Sequence, residues 1–154
     1  DNPLVFEHDQ LGGDLVHGGN FFAQHTAFAA DAVNAALTQM GVLAERQLDL
    51  LLNPGQNRQW PLLLSWQEGA MSGLAGLQIT ASAVVAEMRM QAQAYATSSI
   101  PTNAGNQDIV PMAANAARQA YLQTERLAWL VGALHLGFAQ LNALKKAGKA
   151  KGSW

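Results

Sequence analysis

Apolar residues in the first third of the chain recur on one side of a helix. After Phe22 come Ala29, Val33, Leu37, Met40 and Leu43, at steps of seven, four, four, three and three, the spacing of an amphipathic helix. Asn20 is the residue type that caps such a helix, so the helix is predicted to begin at Phe21. Gly41 is its weak point. Glu45, Arg46 and Asp49 break into Leu48, Leu50, Leu51 and Leu52, and the helix is predicted to continue or restart as far as the turn Asn53-Pro54-Gly55. Ahead of it, Gly12, Gly13, Gly18 and Gly19 give residues 9–19 the composition of a loop.

Pro54 to Gly69 carries two prolines and two tryptophans without a period and is predicted to be a long ordered loop. Residues 69–86 then contain no charged side chain and place Leu74, Leu77, Val84 and Val85 at helical spacing. By length this window could span a bilayer. Its Gly, Ala, Ser72, Gln78, Thr80 and Ser82 content makes transfer into lipid poor and instead suits a helix surrounded by other helices, so no membrane is expected. A second loop covers Tyr95 to Gly105, and Pro111 is compatible with the first turn of a further helix. This third helix is predicted through Met112, Leu122, Leu130, Leu134, Phe138 and Leu141, and residues 127–144 again hold no Asp, Glu, Lys or Arg. No strand alternation of useful length and no fixed-period repeat is visible, so the class is all-α.

Composition sharpens this picture. Charged residues are 13% of the 154 and hydrophobic ones 49%, against roughly 25% charged in ordinary soluble domains. One amphipathic helix cannot cover two uncharged ones, so their cover must come from other chains or from more of the same polypeptide. The net charge of -2 provides no positive field for phosphate backbones, so nucleic acid is not an expected partner. The absence of cysteine removes disulfides and thiolate chemistry. No signal-peptide pattern opens the sequence, and a cytoplasmic location is expected. Residues 145–154 decay into Lys, Ala and Gly before Gly152-Ser153-Trp154, which reads as a flexible tail or an artificial join.

Candidate chemistry is sparse. No dinucleotide, phosphate-loop, zincin or nucleophile-elbow pattern occurs. Gly18-Gly19-Asn20-Phe21 reads first as a tight turn and second as a place where backbone amides approach a ligand. His8, His17 and His25 have spacings that do not share a helix face, so no metal is expected. Asn103, Asn106, Gln107 and Asp108 crowd one loop, suited either to turn formation or to orienting a polar ligand beside a helix start. His135, in the uncharged third helix, is expected to be a hydrogen-bonded core histidine.

Three strings together resemble the family of histidine, phenylalanine and tyrosine ammonia-lyases and the related aminomutases. They are Asp1-Asn2-Pro3-Leu4-Val5-Phe6, His17-Gly18-Gly19-Asn20-Phe21 with Gln24-His25, and Thr102-Asn103-Ala104-Gly105-Asn106-Gln107-Asp108. Leu43-Ala44-Glu45-Arg46-Gln47 and Ala86-Glu87-Met88-Arg89 support them in order and spacing. The resemblance covers residues 1–144, is nearest to tyrosine ammonia-lyases, and corresponds to a segment from the second half of the family chain. It implies long helices in the central bundle of a homotetramer whose active sites draw on several chains. It also implies the electrophile 4-methylideneimidazol-5-one (MIO), formed from an internal Ala-Ser-Gly that this sequence does not contain. The family's catalytic tyrosines and carboxylate-binding arginine are expected ahead of Asp1, so no catalytic residue is assigned to this chain.

By the same resemblance Asn20, Phe21, Asn103, Asn106 and Gln107 are substrate-binding, with Phe21 lining the pocket. Histidine ammonia-lyases carry a glutamate where Gln107 stands, so Gln107 implies a phenyl or phenol substrate, because a neutral amide avoids burying an unpaired carboxylate beside an apolar ring. Met71-Ser72-Gly73 and Pro111-Met112-Ala113 depart from the family's Asn-Ser-Gly and Ser-Leu/Met-Gly. The expected activity is elimination of ammonia from L-tyrosine or L-phenylalanine. A 2,3-aminomutase is the near alternative, and a non-catalytic helical subunit or a lyase-like fold turned to other chemistry, for instance a split enzyme whose partner polypeptide holds the Ala-Ser-Gly, is the distant one.

Overall fold

In the computed structural model, which describes residues 2–7, 13–57 and 59–150, two long helices running parallel to each other form the body of the chain, with Thr38 beside Gln123, Gly41 beside Leu130 and Leu48 beside Gly137. They are α1 (Gln24–Leu52) and α4 (Ala113–Lys146), about 43 and 51 Å long at helical rise. The one-turn α2 (Pro54–Asn57) and a 3-10 turn at Leu62–Leu64 follow α1, and α3 (Ala75–Met90) lies against both long helices. The predicted all-α class holds. A short antiparallel hairpin, β1 (Leu4–Phe6) with β2 (Asp14–Val16), pairs Leu4 with Val16 and Phe6 with Asp14. The sequence did not reveal it because both strands are only three residues long and exposed on both faces, so no alternation is imposed.

The helix ends differ in detail from their predicted positions. Asn20 does not cap α1; the chain makes a turn, with Phe22 N–H donating to Gly19 C=O at 2.9 Å, and the helix begins three residues later without a side-chain cap. Pro111 lies outside α4 because Met112, in the left-handed region at φ 54°, turns the chain between them. At the other end α4 continues to Lys146. There Gly148 (φ 65°) lets Lys149 N–H reach Leu144 C=O at 3.0 Å, closing the last carbonyls in a Schellman arrangement. Lys145 and Lys146 sit favourably at the negative end of that helix. Residues 151–154 lie outside the described residues.

The apolar stripe that announced α1 is not the face that α1 buries within this chain. Met40 and Leu43 are 54% and 57% exposed, and Phe22, Phe28, Val33 and Leu50 also face outward. The inward face is small or polar: Ala27, Asn34, Thr38, Gly41, Ala44 and Glu45, with Leu48 and Leu52 at its end. Small residues are needed because the helices approach closely. A Cβ on Gly41 lies 2.8 Å from Met88 Sδ and 3.2 Å from Leu130 Cδ1, and one on Gly137 lies 3.0 Å from Leu48 Cδ1. Leu48, Leu52, Leu64, Met88, Leu130 and Leu144 complete the core around these contacts. By length and composition α1 and α4 could each cross a membrane. The window weighed on sequence, 69–86, contributes instead to α3, which has 16 residues.

The predicted loop at Pro54–Gly69 is ordered by a backbone crossing. Leu63 and Leu64 take positive φ, Leu74 N–H donates to Leu63 C=O at 2.9 Å, and Gln140 of α4 donates to Leu64 C=O at 2.9 Å. Ser65 Oγ donates to Met71 C=O at 2.7 Å, so the Met71 position is used through its backbone. Gly73 has φ 55°, and a Cβ there would lie 2.3 Å from Leu63 O. Gly73→Ala is therefore expected to destabilise the protein by upwards of about 3 kcal/mol, since both the conformation and the contact forbid a side chain; urea unfolding checks this, and a midpoint within error of wild type would contradict the crossing.

Candidate active site

The hairpin explains why the first two family-like strings occur together. Asn2 donates from Nδ2 to Gly18 C=O and accepts from Gly18 N–H on Oδ1, both at 2.8 Å, so residues 2–6 are strapped to residues 14–18. The amide of Gly18 is thus occupied and not presented to a ligand. Gly12 and His8 lie outside the described residues, while His17 and His25 are exposed. Asn20 and Phe21 occupy the exposed turn between this hairpin and α1, with Phe21 at 63% exposure. His135 faces outward from α4, contrary to the expected core position, because the inward positions of that turn belong to Ala133 and Gly137.

Asn103, Asn106 and Gln107 share one tightly closed loop. Thr102 N–H donates to Gln107 C=O at 3.0 Å and Gln107 N–H to Thr102 C=O at 3.2 Å, a two-bond bridge around a 3-10 turn at Asn103–Gly105. Asn103, Ala104 and Gly105 all have positive φ, at 52°, 54° and 86°. Two consecutive non-glycine residues in that region cost roughly 1–2 kcal/mol each, and such strain gathers at functional sites. Thr102 Oγ1 donates to Gln107 Oε1 at 3.1 Å, which orients the amide and leaves its NH2 available. The Asn103 and Asn106 amides are exposed. Among the described residues no hydrogen bond joins this loop to Asn20 or Phe21. The loop is also not a helix start, since α4 begins only at Ala113.

A polar edge runs along α1, and sequence reasoning did not identify it. Asp49 accepts from Gln78 Nε2 at 2.8 Å, Glu45 from Ser82 Oγ at 3.1 Å, and Asn34 Nδ2 donates to Gln91 C=O at 3.1 Å. Asp31 accepts from Tyr95 N–H at 3.0 Å and Ala96 N–H at 2.9 Å. Gln123 of α4 closes the middle, donating to Met88 C=O at 3.0 Å and Thr38 Oγ1 at 3.3 Å, and Gln119 donates to Gln91 Oε1 at 2.8 Å. The polar residues at 31, 34, 38, 45 and 49 fall at helical spacing, which was the available signal.

The two supporting strings also meet here. Arg46 donates to both oxygens of Glu45 at 2.6 Å, and these residues face Ser82, Val85, Ala86 and Arg89 across a cleft of about 330 Å³. Its hydrogen bonds with Arg46 hold the Glu45 carboxyl below the usual carboxylate range; burial opposes this, and Ser82 with the charges of Arg46 and Arg89 assists it. Glu45 is 5% exposed, so its charge is unpaired without these partners. A carboxylate with a lowered folded-state pKa contributes stability above the unfolded value of about 4.3, lost as pH falls through the folded value. Glu45→Gln is expected to cost about 1 kcal/mol at pH 7, with the difference from wild type shrinking below about pH 4.3. Thermal unfolding across pH 3–7 reads this, and a pH-independent difference contradicts it.

Known proteins share this fold and much of this sequence. An aromatic amino acid lyase family model matches residues 1–153. A tyrosine ammonia-lyase of Cupriavidus metallidurans is 46% identical over 78% of this chain and 22% of its own length. A histidine ammonia-lyase of Bradyrhizobium diazoefficiens is 39% identical over 86% of this chain and 25% of its own. The crystal structure of tyrosine aminomutase from Streptomyces globisporus superposes with a TM-score of 0.83 at 39% identity, over 97% of this chain and 27% of that one. The fold is the helical fold of ammonia-lyases. This chain belongs to the aromatic amino acid lyase family, and it spans about a quarter of the length of the relatives it matches.

Proposed function

We propose that this chain forms one wall of the active site of an MIO-dependent enzyme that eliminates ammonia from L-tyrosine or L-phenylalanine, giving a trans-cinnamate-type acid. The observation that carries the substrate reading is Gln107: a neutral amide, oriented by Thr102, at the closure of a strained loop. Beside an apolar ring such an amide leaves no buried charge unpaired. The chemistry of the loop also suits the prosthetic group. An imidazolone presents a carbonyl and ring nitrogens, and the Asn103 and Asn106 amides, each able to donate and accept, match them. When bound, that group supplies an electrophilic carbon. Asn103 and Asn106 would hold it and face the substrate, Gln107 would orient the substrate ring, and Phe21 with Asn20 would line the pocket. No proton transfer is assigned to this chain; the base and the Ala-Ser-Gly belong to other parts of the protein or its assembly, read as a homotetramer.

A 2,3-aminomutase is the second reading, supported by the likeness to the Streptomyces globisporus enzyme. It differs in returning the ammonia to the β carbon. Incubation of the complete protein with L-tyrosine, L-phenylalanine and L-histidine separates the possibilities: a cinnamate-type absorbance is the expected outcome, β-tyrosine identifies the mutase, and urocanate alone overturns the substrate assignment. Intact mass of the purified material distinguishes the split-enzyme reading, which requires a companion polypeptide containing Ala-Ser-Gly. Gln107→Glu is expected to lower kcat/KM for tyrosine by about tenfold or more, corresponding to about 1.4 kcal/mol, and to raise the relative rate with histidine. Unchanged values for both substrates exclude Gln107 from the site.

A further inference from the structure

Residues 92–112 leave α3, carry Asn103, Asn106 and Gln107, and return to start α4. Three sets of bonds hold the segment. The tip is closed by Thr102 and Gln107, and the neck by Ser99 Oγ accepting from Val110 N–H at 2.8 Å. The base is held from outside the segment. Half-buried Asp31 on α1 accepts from Tyr95 N–H on Oδ1 and from Ala96 N–H on Oδ2, at 3.0 and 2.9 Å. One turn along α1, Asn34, 1% exposed, donates to Gln91 C=O. Successive backbone amides aimed at one carboxylate form an anion nest, and here the anion is a side chain from a helix distant in sequence. Such charge-assisted bonds are about twice as strong as neutral ones.

α1 starts directly after the turn that presents Asn20 and Phe21, and Asp31 lies about 10 Å further along its axis from Gln24. No hydrogen bond among the described residues ties that turn to the amide loop. We propose that Asp31 is a positioning residue: its carboxylate pins the base of the segment that carries Asn103, Asn106 and Gln107 to α1, and so sets where those amides stand in the site. It does not touch the substrate. This role rests on the lyase reading. Displacement of a catalytic wall by about 1 Å lowers a rate by up to about a hundredfold. Asp31 lies outside the leucine core, so its substitution leaves the helix packing in place.

The test uses the complete protein with Asp31→Asn, which keeps the shape but turns an amide donor toward a backbone N–H. Hydrogen exchange of peptides from residues 92–110 and steady-state kinetics with L-tyrosine and L-phenylalanine are measured together. The expected result is faster exchange in 92–110 with α1 and α4 unchanged, and a kcat lowered about tenfold or more with a smaller change in KM. Faster exchange with an unchanged kcat overturns the positioning role, and unchanged exchange overturns the anchor itself. If Asp31→Asn does not accumulate, Asp31→Glu, which keeps the charge but displaces it from the Tyr95 and Ala96 amides by one methylene, must give the same pair of changes or the proposal falls. A wild-type protein inactive on all aromatic amino acids removes the lyase reading and the positioning role with it, while the exchange measurement still decides the anchor.

Discussion

The polar edge of α1 is the constraint on which the rest of the chain depends. Asp31, Asn34, Thr38, Glu45 and Asp49 engage α3, its flanking loops and Gln123 from one end to the other, with α1 and α3 in antiparallel register. Apolar contact alone is indifferent to sliding and rotation. Hydrogen bonds to named backbone atoms such as Gln91 C=O and Met88 C=O are not, because a slip of one residue strands a buried polar group at a cost of about 1–3 kcal/mol. Glu45 adds a buried charge to that penalty. The register of α3 against α1 therefore sets where the segment after α3 begins, and with it where the amide loop stands.

The same arrangement explains the division of residue sizes on α1. Helices brought close enough for these bonds leave no room for a side chain at Gly41, and Ala27 and Ala44 keep the same buried face small. The large side chains are displaced to the opposite face, where Phe28, Val33, Met40 and Leu43 stand exposed, as do Tyr121, Trp129 and Leu136 of α4. An apolar surface of this extent belongs against other helices. The relatives, about four times longer than this chain, share the helical ammonia-lyase fold and supply far more chain to cover it.

Apart from the single residue Met112 ahead of α4, backbone strain among the described residues is concentrated in two places. At Leu63–Leu64 and Gly73 positive φ serves a backbone crossing that α4 clamps through Gln140. At Asn103–Gly105 it serves a tip whose amides face outward. The first is packed against the core and structural, whereas the second is exposed, with two asparagine amides left available. That contrast supports the ligand-binding role proposed for the second.

The helices were legible in the sequence because periodicity and uncharged windows survive without knowledge of tertiary contacts; so was the insufficiency of one chain to cover them. The family was legible too, since a string such as Thr102 to Asp108 records chemistry directly, and the same resemblance carried the assignment of Asn20, Phe21, Asn103, Asn106 and Gln107. Other features were not legible. The hairpin was missed because three-residue exposed strands leave no pattern, and Asn20 was misread as an N-cap because a turn and a helix start share the same residue types. The outward stripe was misleading because hydrophobicity reports that a face will be covered without saying by what. His135 failed for the same reason. Asp31, Asn34 and Gln123 appear in the sequence as isolated polar residues on apolar helices. Only the tertiary structure, by bringing α3 and its loop to within hydrogen-bond distance, decided that they hold the fold in register.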